Sequence, residues 1–273
     1  MTWFSLRVES SAHRDEAIAA LFAAGAQGVH EDGAALATSF PDEAGARTAA
    51  EAVHAVDPVA TFDIQPATPV DWSTAWRDHA RVVTLGRLTI APPWLATGLD
   101  PAQTIVIEPG MAFGTGDHAS TRGAVRMLEQ SVKPGMTVAD LGSGSAVLSI
   151  AAAKLGAARV WAIEIDPEAQ ANASENIDRN NVGDIVHPLE GDAAVLLPVI
   201  APVDVIAANI ISSVILELLP LMASALRPQG FAILAGILES EHGTVVSSLQ
   251  SSGWELRNAH VEEDWWSALV QRR

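Results

Sequence analysis

At 273 residues, with 49% hydrophobic and 18% charged positions, the chain has room for one large domain or two ordinary ones and the composition of a core-forming protein, which excludes general disorder. The absence of cysteine excludes disulfides, thiolate zinc sites and cysteine nucleophiles together. A net charge of -17 argues against direct contact with nucleic acid, which needs a basic surface, and suits a basic partner whose approach a negative field accelerates, although acidity also serves solubility alone. Asp, Glu, Arg or Pro interrupts every apolar run before it reaches the length of a membrane span. The amino terminus, Met1 to Glu9, has the alternation of a strand and lacks a basic flank with an apolar signal core. A cytoplasmic protein without a membrane partner is expected.

Residues 3 to 9 alternate as a strand, and Asp15 to Ala24 carry apolar residues at helical spacing. Extended runs follow at Gln27 to His30 and Ala34 to Ser39, with Asp32-Gly33 between them as a hairpin signal. An Ala-rich helix from Glu43 to Val56 and a strand from Val59 to Ile64 complete a βαββαβ order, that of a small ferredoxin-like α+β domain over residues 1–65. Its acids fall in turns and on polar helical faces, so recognition is its assigned role by elimination.

Pro66 and Pro69 mark a boundary, and residues 66–80 read as a linker helix. In Asp71-Trp-Ser-Thr-Ala-Trp-Arg-Asp-His79, Trp72 and Trp76 share one helical face, either as packing that pins the linker or as part of a ligand box. Two short strands around Gly86, the turn Ala91-Pro-Pro-Trp94 and a strand from Thr104 to Glu108 open the remaining domain, residues 81–273.

From Pro109 the pattern is regular α/β. Helix Ser120–Val132, strand Met136–Ala139, helix 145–155, strand 159–163, helix Pro167–Asn180 and strand Ile185–Leu189 come in order. Strand Val203–Ala207, helix Ile211–Leu226, strand Phe231–Leu234, a helix near 240–251 and two strands ending at Gln271 follow. The alternation predicts a doubly wound, mostly parallel sheet with an antiparallel edge, its ligand at the carboxyl ends of the strands.

The chemistry concentrates where the strand ending in Asp140 turns through Gly142 and Gly144 into a helix, and where the next strand ends at Glu164. Glycines there let the backbone turn tightly and come close to a ligand, and an acid at the second strand's tip is where nucleotide-binding βαβ units receive a ribose. Two acids compete for that part. Asp166, followed by Pro167 and a helical run, fits a helix N-cap, which leaves the ribose to Glu164. Val147 occupies the place of the third glycine of a dinucleotide fingerprint, which disfavours a nicotinamide-dependent oxidoreductase.

The Asp140-Leu-Gly-Ser-Gly144 pattern resembles the glycine loop of class I S-adenosylmethionine methyltransferases. On that likeness Asp140, Gly142 and Gly144 are cofactor contacts. Asp192, in Glu190-Gly-Asp-Ala193, either reaches the adenine amino group or is an ordinary loop residue. Glu108-Pro-Gly-Met-Ala-Phe-Gly-Thr-Gly-Asp-His-Ala-Ser-Thr-Arg122 offers a glycine-rich loop able to fold over a ligand, with Phe113, Gly114 and Thr121 as candidate contacts, Thr121 to the methionine part. His118 is a loop hydrogen-bonder or a general base. Asn209 closes Ala207-Ala-Asn209, either orienting a substrate amine or capping the helix from Ile211.

Together, the glycine loop with Thr121-Arg122, the Asp140 motif, Ala208-Asn-Ile210 and the block from Asp71-Trp72 to Pro93-Trp94 resemble the PrmA family, methyltransferases of large-subunit ribosomal protein eleven. The resemblance implies a Rossmann-like methyltransferase domain behind a ferredoxin-like domain that holds the ribosomal protein. It also implies S-adenosylmethionine as cofactor, with contacts at Thr121, Gly142, Glu164 and Asn209, and transfer of methyl to amino groups; a monomer without a metal is expected. Two positions depart from the family pattern: Glu164 stands for the usual Asp, and Ala146 stands where a further glycine is common, a change expected only to tighten the loop. A methyltransferase of the same group with a non-ribosomal target, such as the electron-transfer flavoprotein β-subunit, and a non-catalytic nucleoside-binding module are the alternatives. The only lysines, Lys133 and Lys154, have no assigned role.

Overall fold

Alternating apolar residues in the first strand, Leu6 and Val8, need a hydrophobic layer to face, and two helices supply it. In the computed structural model, which describes all residues except 1–2, 11–12, 27, 33–34, 67–79, 109–113 and 115, the chain divides into two units, Met1–His79 and Ala80–Arg273. The first contains β1 (Phe4–Glu9), α1 (Arg14–Ala23), β2 (His30–Asp32), β3 (Ala35–Phe40), α2 (Glu43–Val56) and β4 (Thr61–Pro66). Its strands pair antiparallel in the order β2-β3-β1-β4, the arrangement expected of a ferredoxin-like unit. Leu6, Val8, Leu36 and Phe40 pack with Ala17 and Leu21 of α1 and Ala46, Ala49 and Val53 of α2. Asp42 starts α2, its carboxylate accepting from Gly45 N at 2.8 Å. β2 is shorter than the run from Gln27, and β4 begins at Thr61, not Val59. The delay at β4 has a cause: Asp57 holds Ser10 Oγ at 2.6 Å and Val59 N at 3.2 Å, which turns the chain there. The linker helix with Trp72 and Trp76, and Pro69, lie outside the described residues.

The second unit opens with the hairpin β5 (Val83–Leu85) and β6 (Leu88–Ala91), turned at Gly86 (φ 58°), with β7 (Thr104–Val106) parallel to β6. Then come α3 (Ala119–Ser131), β8 (Thr137–Leu141), α4 (Val147–Lys154), β9 (Arg159–Glu164), α5 (Pro167–Arg179) and β10 (Val186–Glu190). These lead to α6 (Ala193–Ile200), β11 (Val203–Asn209), α7 (Ser212–Ala225), β12 (Leu226–Leu238), α8 (His242–Ser251), β13 (Trp254–Glu262) and β14 (Trp265–Arg272). A seven-stranded sheet has the order β10-β9-β8-β11-β12-β14-β13, in which β14 alone runs against the others and so pairs antiparallel with both β12 and the edge strand β13.

Consecutive strands run outward from β8 to β10, and β11 then returns to the other side of β8, so the crevice beyond the ends of β8 and β11 is the topological switch point. Alternation within each strand serves two cores. Val138 and Val160 face α3, α4 and α5, while Ala139, Leu141 and Ile163 face α6, α7 and α8. Each fully buried Leu, Ile or Val contributes about 1.5–3 kcal/mol, which holds the strand ends in a rigid frame. α6 is a helix the sequence does not announce, because Ala193-Ala-Val-Leu-Leu-Pro-Val-Ile200 is apolar all round and carries Pro198. β12 also starts earlier than Phe231, with Leu226 pairing Val203 before a bulge restores register at Phe231. Among the described residues no helix is long and apolar enough to cross a membrane.

Candidate functional site

Leaving β8, the chain enters left-handed backbone at Gly142 (φ 70°) and Gly144 (φ 51°). At Gly142 the need for glycine is double, since a Cβ there would also lie 2.5 Å from Ile210 Cγ2. Gly142 N and Ser143 N both donate to Ile163 O, at 2.9 and 3.0 Å, which ties the loop to the end of β9. Ala146 does more than tighten the turn: it is the N-cap of α4 at φ 64°, ψ 19°, a left-handed non-glycine residue at a cost of about 1–2 kcal/mol. No side chain caps α4.

Of the two acids at the end of β9, Asp166 takes the expected cap. Asp166 Oδ1 accepts from Glu168 N at 2.9 Å and caps α5, with Pro167 in the first turn. Glu164, 8% exposed, turns to the glycine loop, where Oε2 accepts from Gly144 N at 2.8 Å and Oε1 from Ile165 N at 2.8 Å and Asp166 N at 3.0 Å. Three backbone donors fix the carboxylate in place. Asp192 caps α6, with Oδ1 accepting from Ala194 N at 2.8 Å, and Gly191 N bonds to Glu164 O at 2.8 Å, so this turn adjoins the end of β9.

Asp140 is 1% exposed; its Oδ2 accepts from Ser149 Oγ at 2.6 Å, while Oδ1 is buried without a partner. Burial pushes its pKa up to about 7, against the lowering effect of the Ser149 hydrogen bonds and with a further push from the Glu164 charge. Asn209 shows the same signature. Its Nδ2 donates to the buried Thr121 Oγ1 at 3.3 Å, and its Oδ1 is buried without a partner. It does not cap the following helix: Ile211 is the N-cap of α7, with no side-chain bond. Gly236 of β12 leaves the room, because a Cβ there would come within 3.1 Å of Asn209 Oδ1. Buried acceptors are ordinarily satisfied, and these two orphans stand on the adjacent strands β8 and β11.

Gly114 (φ 102°) and Gly116 (φ 89°) take conformations that favour glycine, and a Cβ on Gly116 would fall 2.4 Å from Ile90 Cγ2. Phe113 and Gly110 lie outside the described residues. His118 is the N-cap of α3, its Nδ1 accepting from Ser120 N at 3.3 Å and lying 2.8 Å from Ser120 Oγ. Its ring meets Trp265 edge-on at 4.7 Å, and burial draws its pKa below the ordinary value. Of its two readings, the loop hydrogen-bonder matches these contacts.

Sequence reasoning passed over Ser145, Asn176 and the hub at Arg122. Arg122 donates to Asp117 O and, at 2.7 Å each, to Glu262, the last residue of β13, and Glu263 just after it. Their separation in sequence hides such pairs; for Asn176 the available signal was a polar residue repeated at Asn180 on one helical face. Lys154 is a tether, its Nζ donating to Pro101 O at 2.8 Å. Among the described residues no cluster of His, Asp or Glu could hold a metal ion.

A family model described as ribosomal protein L11 methyltransferase (PrmA) matches residues 5–273. A ribosomal protein L11 methyltransferase of Chloroflexus aurantiacus is 38% identical over 81% of this chain and 74% of its own length. Its counterpart in Pelotomaculum thermopropionicum is 39% identical over 79% and 70%. The crystal structure of a ribosomal protein L11 methylase from Lactobacillus delbrueckii subsp. bulgaricus superposes with a TM-score of 0.64 at 31% identity, covering 71% of this chain and 99% of that one.

Proposed function

The chain belongs to the ribosomal protein L11 methyltransferase (PrmA) family, and from that premise we propose that it transfers methyl groups from S-adenosylmethionine to amino groups of ribosomal protein L11, on lysine side chains or the N-terminal amine. The observation that carries the assignment to this crevice is the buried, unpartnered Asn209 Oδ1 beside the glycine loop, an acceptor with no donor of the chain's own. When bound, the cofactor supplies an electrophilic methyl group on a sulfonium. Glu164 would take the ribose hydroxyls, Asp192 the adenine amino group, and Thr121 with Gly114, Gly142 and Gly144 the methionine part. Asp140 Oδ1 offers a second unused acceptor at the end of β8.

A lysine ammonium, with a pKa of about 10.4 in water, has no lone pair to share until it sheds a proton. Asn209 cannot take that proton, because an amide is not a base at neutral pH. Its Oδ1 instead accepts one N–H of the neutral amine and aims the nitrogen. Removing the amine from water favours the uncharged form, and the proton leaves to solvent. Alignment of the nucleophile by a fixed acceptor then supplies much of the acceleration.

The same reading gives residues 1–65 the holding of the protein substrate and 66–80 the connection to the catalytic residues 81–273. A cytoplasmic monomer that meets its basic substrate without direct nucleic-acid contact accords with the charge of -17. Incubation with unmethylated L11 and labelled S-adenosylmethionine, read by mass spectrometry, tests the reaction; mass increments of one methyl each are expected. Calorimetric binding of NAD but not of S-adenosylhomocysteine would overturn the methyltransferase assignment. Methylation of another protein with L11 left untouched would overturn the target.

A further inference from the structure

Ser145 ends the glycine loop and is buried, yet its hydroxyl and its carbonyl are both spent on other segments. Its Oγ donates to Gly114 O at 2.6 Å, and its O accepts from Asn176 Nδ2 at 3.1 Å. Asn176, wholly buried on α5, uses its other end as well: Oδ1 accepts from Glu108 N at 2.9 Å and from Arg179 Nη1 at 2.8 Å. One turn on, Asn180 bonds both ways to Val106, Nδ2 to Val106 O at 2.6 Å and Val106 N to Oδ1 at 2.8 Å. α5 therefore meets Val106 and Glu108 as an adjacent strand would, with two amide side chains in place of a backbone.

Packing alone does not call for this. A leucine or alanine would fill the positions of Asn176 and Ser145 without a buried polar group to satisfy. What the polar choice adds is a fixed spacing. Glu108, through Asn176, and Gly114, directly, are both referred to Ser145, the residue next to Gly144, whose N–H fixes Glu164. Gly114 must be glycine for the approach, since a Cβ there would stand 2.9 Å from Ser145 Oγ at φ 102°.

Resting on the methyltransferase reading above, we propose that Ser145 and Asn176 are positioning residues for the cofactor, holding the Gly114 side of the crevice in register with the glycine loop. A site held in register before binding loses less freedom on binding, so the loss of one such bond appears as weaker affinity. The test measures S-adenosylhomocysteine affinity by calorimetry, together with kcat and the KM values for S-adenosylmethionine and L11, in the full-length wild type and in Ser145→Ala. The expected result is a rise of about tenfold in both the S-adenosylhomocysteine Kd and the cofactor KM, with the KM for L11 within about twofold and a smaller fall in kcat. Ser145→Cys, which keeps the volume but donates weakly, should fall between the two and serves if the alanine variant does not fold. Variants that bind S-adenosylhomocysteine as tightly as wild type, whatever their melting temperature, would overturn the positioning role while leaving the methyltransferase reading intact. A wild type that binds no S-adenosylhomocysteine would overturn both.

Discussion

Asp140 gives the sharpest quantitative test, because its carboxyl is buried, holds one hydrogen bond from Ser149 and leaves Oδ1 without a partner. With a folded pKa of about 7 against an ordinary value of 3.8, the native protein binds more protons than the unfolded chain between those limits. Stability therefore falls as pH rises through that window and levels off above it. The rise from 3.8 to about 7 corresponds to roughly 4 kcal/mol between the two protonation states. Asp140→Asn keeps the shape and abolishes the titration, although its amide leaves a buried donor unpaired at a cost of about 1–3 kcal/mol. Urea unfolding at pH 5 and pH 8, read by tryptophan fluorescence, should show the variant less stable than or equal to wild type at pH 5. At pH 8 the balance should swing in its favour by about 2–4 kcal/mol. A stability difference that does not change with pH would refute the reasoning, since it would mean that Asp140 is ionised throughout. The same ionisation bears on function: the anion should favour a cationic cofactor, so S-adenosylmethionine affinity should rise with pH near 7 in wild type and stay flat in the variant.

Glu164→Ala removes the proposed ribose acceptor and frees three backbone N–H groups, and calorimetry should show S-adenosylhomocysteine affinity reduced about 10- to 100-fold; unchanged affinity would remove Glu164 from the site. Asn209→Ala should lower kcat by about tenfold to a hundredfold, more than it raises the KM for L11, because it loses orientation of the amine; an unaltered kcat would leave the buried Oδ1 without a catalytic part. Gly142→Ala meets Ile210 Cγ2 at 2.5 Å in left-handed backbone, so a loss of about 2–4 kcal/mol in thermal or urea unfolding is expected. Deletion of residues 1–65 should abolish L11 methylation and spare S-adenosylhomocysteine binding; retained methylation would refute the recognition role.

Local rules carried the reading of the elements a long way. The helix expected over Glu43–Val56 has those ends, since Asp42 is a good cap and its alanines recur at helical spacing. The choice between Glu164 and Asp166 was also local, because a Pro after Asp166 sets a helix start and leaves the strand tip to Glu164. α6 escaped for the opposite reason: it has no polar face to mark a period, and Pro198 reads as a breaker. Ala146 shows the limit of reading by residue type, since alanine sits in the left-handed conformation that glycine would occupy without strain.

Except for α6, the order of strands and helices is legible in the chain, as are the glycine turn after Asp140, the acid at the end of β9 and the resemblance that names a family, because each is written within a few consecutive residues. Only the tertiary structure decided that Asn209 bonds Thr121 and not its own helix, that Asp140 keeps an unpaired oxygen, and that Ser145 and Asn176 bind Gly114 and Glu108 into one frame. Those facts join residues far apart in the chain. Burial and hydrogen-bond partners arise only when the sheet order brings β8 beside β11 and packs α5 beyond β7.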